Sequence, residues 1–366
     1  MKLGKRIFQV TTLIALFLAA GFANESMAQS KEEAYNTYKG AVEVYNRGLA
    51  QADSAMFDQA IASFSQAVSL SQQAIDICNN LSGDECVFET EGGSETNIIS
   101  SAEGIMDKAN NNMPRLYYQK AATLYKNKEY MKAIDTFKDA ESKAAEVGDD
   151  QIERRANTNI YKLYYSLGNS YLKNKQFDQA LEYFDKSLEV NPENAKVYYH
   201  KGIVYKQKEM PEKALEMYDK AIQMALSTND SVTERRASNA ARDYLVFRGS
   251  NLIKSKNYQL AIQNLEKALE YDNESADAYY RLSEAYNKQA MWDLAIEHAN
   301  KALKYEKGSK TDRAKIYFEL GMALKEKGNK GGACDAFENA AYGSFKNAAD
   351  HQIQHELKCD QLNRSN

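Results

Sequence analysis

His351, His355 and Cys359 follow one another at intervals of four residues, which on a helix sets two imidazoles and a thiol on one face. Such a face can ligate zinc, with Cys334 supplying a fourth ligand. It is not a metalloprotease helix, because Gln352 stands where the general-base glutamate would follow the first histidine. The same thiols admit a plainer chemistry. Cys334 and Cys359 form a late pair and Cys78 and Cys86 an early one, so two local disulfides are the economical reading, with metal ligation and free thiols as the alternatives. Beyond these, only His200 and His298 could serve histidine-based proton transfer, and the chain has no Gly-rich phosphate loop, GxSxG elbow or paired catalytic carboxylates. No catalytic residue, metal or cofactor is therefore expected, and the chain reads as a binding protein. A metal-binding protein or metal-dependent enzyme using the His/His/Cys face is the distant alternative.

The elements that must position these residues are helical. Three prolines and 18 glycines in 366 residues, with 43% hydrophobic and 27% charged residues, exclude a proline-rich, collagen-like or disordered chain. Lys2, Lys5 and Arg6 precede the apolar run from Val10 to Ala20, and Ser26-Met27-Ala28 offers small residues for cleavage, so residues 1–28 read as a secretory signal and Gln29 as the mature start. The expected product is periplasmic or secreted, with no cysteine placed for a lipid anchor and no stable membrane insertion. Losing Lys2, Lys5, Arg6 and Glu25 takes the formal charge from −4 to −6, which argues against nucleic acid as a partner.

A repeat runs through the rest. In the window Tyr161 to Asn194, Tyr164, Leu167, Gly168, Tyr171, Phe177, Ala180, Phe184 and Pro192 occupy positions 4, 7, 8, 11, 17, 20, 24 and 32. Further windows start at Ala195, Arg242 and Ala276, and weaker ones at Ala41, Pro114 and Ala314. The pattern resembles the tetratricopeptide repeat, and the late cysteines resemble its Sel1-like branch. The resemblance implies an all-α, right-handed superhelical solenoid of about seven antiparallel helix pairs, in which small residues at positions 8, 20 and 27 let the two helices approach closely. A second period of 81 residues separates the starts at 114, 195 and 276, and those at 161 and 242, and repeats Glu153-Arg154-Arg155-Ala156 as Glu234-Arg235-Arg236-Ala237. It reads as a duplicated two-repeat module with a lengthened joint, whose arginines either form a docking surface or pair with Asp149, Asp150 and Asp230 nearby.

The expected organisation is a signal at 1–28, N-terminal helices with the first repeat at 29–78, and an acidic Gly/Ser loop at 79–104. That loop reads as mobile, pinched at its base by Cys78 and Cys86. The solenoid proper follows at 105–347 and a capping helix and tail at 348–366. Ser30 to Glu33 has capping-box spacing, so the mature chain should enter its first helix at once. In the family the first helix of each pair lines the concave side, with positions 2, 5, 6, 9, 12 and 13 open to a ligand. Carried onto this sequence, the groove candidates are Tyr118, Lys126, Lys162, Tyr165, Asn169, Lys173, Tyr199, Lys254, Tyr280 and Lys288. An aromatic track edged by cations would suit an extended peptide with acidic or aromatic side chains; the competing reading is that these residues keep helices packed and soluble. Partners are expected to be a protein or peptide, with self-association into a structural envelope module as the alternative.

Overall fold

The computed structural model describes residues 2–81, 86–90 and 92–359, with side chains from residue 26 onward. The chain divides into two compact units, Met1–Ser166 and Leu167–Asn366. The first holds α1 (Lys2–Asp53), α2 (Phe57–Asn79), a short hairpin of β1 (Val87–Glu89) and β2 (Glu95–Asn97), α3 (Ile98–Lys126) and α4 (Tyr130–Val147). The unit boundary falls within α5 (Asp150–Lys173). The second unit continues with α6 (Phe177–Val190), α7 (Ala195–Gln207), α8 (Pro211–Ser227), α9 (Ser231–Lys254), α10 (Tyr258–Tyr271), α11 (Ala276–Lys288), α12 (Trp292–Tyr305), α13 (Lys310–Glu326) and α14 (Lys330–Ala340). In each unit consecutive helices pack as pairs, the arrangement of a solenoid.

The register of the repeat is written in its smallest residues. Position 20 is alanine in all seven windows, at Ala60, Ala133, Ala180, Ala214, Ala261, Ala295 and Ala333, and every one is 0% exposed. Position 8 explains why glycine recurs there. A Cβ on Gly48, Gly168, Gly202, Gly249 or Gly321 would lie 2.9, 2.6, 2.5, 2.6 and 2.8 Å from Phe64, Phe184, Tyr218, Leu265 and Phe337 respectively, each the position-24 side chain of the same repeat. The glycine thus lets a large side chain from the second helix lie against the backbone of the first. In the window at 276 both partners change together: position 8 is Ser283, position 24 is the small Ala299, and the Ser283 hydroxyl donates to the Ala295 carbonyl at 2.9 Å.

Each helix pair turns at position 15, which is left-handed in every window: Ala55, Lys128, Lys175, Glu209, Lys256 and Ala290, and finally Gly328. The next N–H reaches back to a carbonyl five residues earlier, as Gln176 does to Tyr171 at 2.9 Å and Asn257 to Leu252 at 2.8 Å, which closes the helix end. Six of these seven positions carry a Cβ, so the turn is made without the residue that sequence rules look for.

The structure adds to three expectations. The lengthened joint is helical: a left-handed residue, Gly148 or Asn229, ends one helix, Asp149 or Asp230 caps the next, and the remaining extra residues lengthen α5 and α9 to 24 residues against 13 in α7 and α11. The stretch 79–104 contains the antiparallel hairpin, with Phe88 opposite Thr96, and its last residues already belong to α3. Phe88 stacks on Tyr35 at 4.3 Å, which ties the hairpin to α1. Residues 82–85 and 91 of that stretch lie outside the described residues. Third, with residues 1–28 still attached, α1 runs through Ser30, whose hydroxyl donates to the Ser26 carbonyl at 3.0 Å. The signal reading rests on side chains that, up to residue 25, are outside the described set.

At the C-terminal end, α15 (Lys346–His351) passes into a π-helical turn, Gln352–Leu357. Ala349 and Leu357 pack against Ala333, Phe337 and Ala340 of the last pair. The remainder of the expected capping segment, from residue 360, lies outside the described residues.

Candidate functional site

Both disulfides are present, Cys78 to Cys86 and Cys334 to Cys359, with Cα separations of 5.6 and 5.9 Å. The second fastens the C-terminal turn to α14, so neither Cys334 nor Cys359 is a free thiolate ligand. His351 and His355 are exposed with ring centres 5.2 Å apart. Among the described residues no group of three or more His, Cys, Asp or Glu side chains is placed to hold a metal ion.

In the second unit the first helices touch one another, α7 with α9, α9 with α11 and α11 with α13. Helices that approach along one layer form the shorter, inner side of a curved stack, so this layer is the concave face of that unit. Of the groove candidates, Asn169, Lys173, Tyr199, Lys254, Tyr280 and Lys288 belong to this unit; Tyr118, Lys126, Lys162 and Tyr165 belong to the first.

The aromatic track is partly engaged in holding the fold. Position-5 rings lie against the position-24 ring of their own repeat: Tyr45 on Phe64 at 5.4 Å, Tyr118 on Phe137 at 5.3 Å, Tyr199 on Tyr218 at 6.2 Å and Phe318 on Phe337 at 5.5 Å. In the first unit their hydroxyls also accept from the first helix of the following repeat, Tyr45 from Asn112 of α3 at 3.3 Å and Tyr118 from Asn159 of α5 at 3.0 Å. Arg155 of the joint covers the Tyr118 ring at 4.6 Å, while Arg154 makes only an exposed pair with Asp150 at 3.7 Å. Tyr118, Tyr165 and Tyr199 remain half-buried. Tyr280 is different: it is 6% exposed, with Arg281 and Lys315 over its ring at 4.8 and 5.0 Å, and burial pushes its phenol well above the ordinary range. It is a packed residue and not an open contact.

The cations have their own local reason. Lys126, Lys173, Lys254 and Lys288 are the final residues of α3, α5, α9 and α11, where a positive charge meets the negative end of the helix dipole. All four are exposed and none makes an ion pair among the described residues. Lys254 and Lys288 edge the second unit's concave layer at its helix ends; Lys173 ends α5, on which half-buried Asn169 also lies, while Lys126 and exposed Lys162 belong to the first unit. His200, at position 6, lies beside Tyr199 with ring centres 5.1 Å apart. Burial holds this imidazole below its ordinary range, helped by the charge of Arg236 and opposed by the Lys196 carbonyl 2.7 Å from Nδ1. Glu319, at position 6 of the last repeat, is pushed the other way: burial raises its carboxyl, although Asn287 Nδ2 donates to it at 2.8 Å.

The residue reasoning from sequence passed over is Phe247. It occupies position 6 of the window at 242 and is 61% exposed, the most open large apolar side chain among the described residues. With Val246 and Ser250 it lines a cleft of about 670 Å³ between α9 and α11. The signal was available, since position 6 is one of the ligand positions of the family, but attention to positions 5 and 13 missed it.

Two comparisons identify this architecture. A tetratricopeptide repeat model matches residues 161–194 and 195–225, beginning at the same residues as the sequence register, and a second tetratricopeptide repeat model matches 252–323. The chain thus carries tetratricopeptide repeats over these residues. Similar solved structures include YrrB, described as a TPR protein with an unusual peptide-binding site, at 22% identity over 55% of this chain and 91% of that one with a TM-score of 0.32. MamA from Desulfovibrio magneticus RS-1 is 23% identical over 49% and 92%, with a TM-score of 0.32. The P58(IPK) TPR domain is 14% identical over 88% and 99%, with a TM-score of 0.29. No protein of curated function matches the chain by sequence. Among the described residues no helix is long and apolar enough to cross a membrane.

Proposed function

We propose that this chain is a non-catalytic scaffold or adaptor that holds a partner protein, through an extended peptide segment, on the concave layer of its first helices. The observation that carries this reading is the cleft between α9 and α11, walled by positions 1, 2, 5, 6 and 9 of these helices together with Asp272, Glu274, Ser275, Tyr305 and Glu306 at or beyond the ends of α10 and α12, and leaving Phe247 open. An aromatic side chain left open in a concavity is what a binding hot spot requires. Export supports a role in the cell envelope or outside it. That part rests on the apolar N-terminal run and on two disulfides, which persist in oxidising compartments.

A photo-crosslinking residue at Ser250, on the cleft, and another at Gln263, on the second helix of the same repeat, test the reading in cells. Capture of one defined partner from Ser250 and not from Gln263 is expected. Capture of only this chain's own copies, or of the same partner from Gln263 alone, would replace the scaffold reading with self-association or with a different face.

A further inference from the structure

We infer that the cleft between α9 and α11 selects a cationic segment: an extended peptide that seats an apolar side chain on Phe247 and sets an arginine or lysine against the carboxylates at the cleft's rim. The inference rests on the concave-face reading and gives its partner a chemistry.

The charge count favours it. The cleft is walled by five carboxylates against two guanidinium groups. Both guanidiniums are already engaged. Arg242 bridges Asp243 at 2.8 Å and Asp272 at 2.6 Å, and Arg281 pairs with Glu284, outside the cleft, at 2.7 Å. Asp277 is held by Lys315 at 2.7 Å. Glu274 and Glu306 form no ion pair among the described residues; Glu306 accepts only the Gly308 N–H, at 2.7 Å. The negative excess therefore stays in the cleft, beside the most open aromatic ring of the described chain. A lysine or arginine can lay its aliphatic stem along such a ring while its head meets the carboxylates, and a cation over the ring face is attracted in its own right. An acidic segment would meet like charge at each of these points.

The duplication shows that this charge is not demanded by the backbone. In the window at 161, Lys162 and Ser166 stand 81 residues before Asp243 and Phe247, and Lys196 stands 81 before Asp277. The helices keep the same bounds at that offset, α7 Ala195–Gln207 against α11 Ala276–Lys288. Position 2 has thus exchanged cation for anion, and position 6 has gained an aromatic ring, within one unchanged framework. This departs from the acidic peptide that the lysine pattern alone suggested.

The probes are two labelled synthetic peptides of equal length, one alternating phenylalanine with arginine and the other phenylalanine with glutamate, titrated into the full chain by fluorescence anisotropy. The Phe/Arg peptide is expected to bind, more weakly as salt rises. Its affinity should drop about tenfold in the double variant Glu274→Gln/Glu306→Gln and again in Phe247→Ala. Phe247 and Glu274 are exposed and Glu306 is half-buried, and circular dichroism verifies that the fold is intact. Equal or better binding of the Phe/Glu peptide, no binding of the Phe/Arg peptide, or unchanged affinity in both variants would overturn the inference. The Ser250 crosslink separates this failure from that of the scaffold reading: a partner captured there while the Phe/Arg peptide is ignored rejects the cationic preference alone.

Discussion

The two copies of the 81-residue module agree in backbone and disagree in chemistry. Helices α5, α6 and α7 recur as α9, α10 and α11 with every boundary shifted by 81 residues, and so do the left-handed residues Gly148 and Asn229, the capping residues Asp149 and Asp230, and the turn residues Lys175 and Lys256. Gly168 and Ala180 likewise return as Gly249 and Ala261. What has changed faces solvent or fills space: Lys162 and Lys196 have become Asp243 and Asp277, Phe184 has become Leu265, and the Gly202–Tyr218 contact has become Ser283 and Ala299. Close helix approach and chain reversal leave few residue types admissible, so those positions are held. The concave surface is free to take a new ligand chemistry without refolding.

The comparison breaks most forcefully at position 8. Gly168→Ala drives a methyl group into the Phe184 ring, and Gly249→Ala drives one into Leu265, each 2.6 Å away. A flat ring wedged between helices has little room to turn, whereas a branched aliphatic chain can change rotamer. Gly168→Ala should therefore lower stability by about 1 to 3 kcal/mol despite alanine's better helix propensity, and Gly249→Ala by distinctly less. Thermal unfolding followed by circular dichroism measures both; an equal or reversed order would show that side-chain stiffness is not what separates the copies.

A smaller effect sharpens it at the joints. Asp149 Oδ1 accepts from the Ile152 N–H at 3.0 Å, and Asp230 Oδ1 from the Thr233 N–H at 3.1 Å, so alanine at either should cost about 1 kcal/mol at neutral pH. Only Asp230 also accepts from a hydroxyl, that of Thr233 at 2.7 Å, and this bond together with the Thr233 N–H holds its carboxyl below the ordinary 3.8. A depressed folded value contributes stability above the unfolded value and loses it as pH falls through the folded one. Asp230→Asn should consequently flatten the acid limb of stability below about pH 4, and an acid limb identical to that of the unaltered chain would remove the cap from the account.

The smallest effect is a gain. Lys175 and Lys256 sit at φ 59° and 61°, a region that disfavours a side chain with a Cβ, while the last repeat already uses glycine there at Gly328. Lys175→Gly and Lys256→Gly should each raise stability by up to about 1 kcal/mol, and by the same amount in both copies. If either lowered the unfolding temperature, these turns would not be strained.

The repeat was legible because its signals are local and multiply stated. Alanine at position 20, glycine at position 8 and an aromatic at position 24 occur at one spacing across most windows, and the structure buries the alanines and sets the position-24 side chain against the glycine. The hairpin at Val87–Asn97 was not legible, since three-residue strands carry too few residues for a periodic signal, and Gly92-Gly93 alone suggested only a turn. The helical joints were hidden for a related reason: a boundary marked by Asp149 or Asp230 looks like a loop until the helix that follows is seen to start there. Position 15 gave no warning in six of the seven windows, because lysine, glutamate and alanine carry no turn signature.

The sequence by itself determined the all-helical class, the register of seven helix pairs, the partition of cysteines into an early and a late pair, and the absence of recognisable catalytic motifs. Each follows from residue type and spacing along the chain. Which aromatics are open was decided only in three dimensions. Tyr280 and Phe247 lie one position apart in the repeat scheme, yet one is buried under Arg281 and Lys315 and the other stands in solvent. The charge of the cleft was decided there too, because whether a carboxylate is available depends on which cation from another turn or helix has reached it, as Lys315 reaches Asp277 from 38 residues away. Exposure and ion pairing are relations between distant segments, and only packing establishes them.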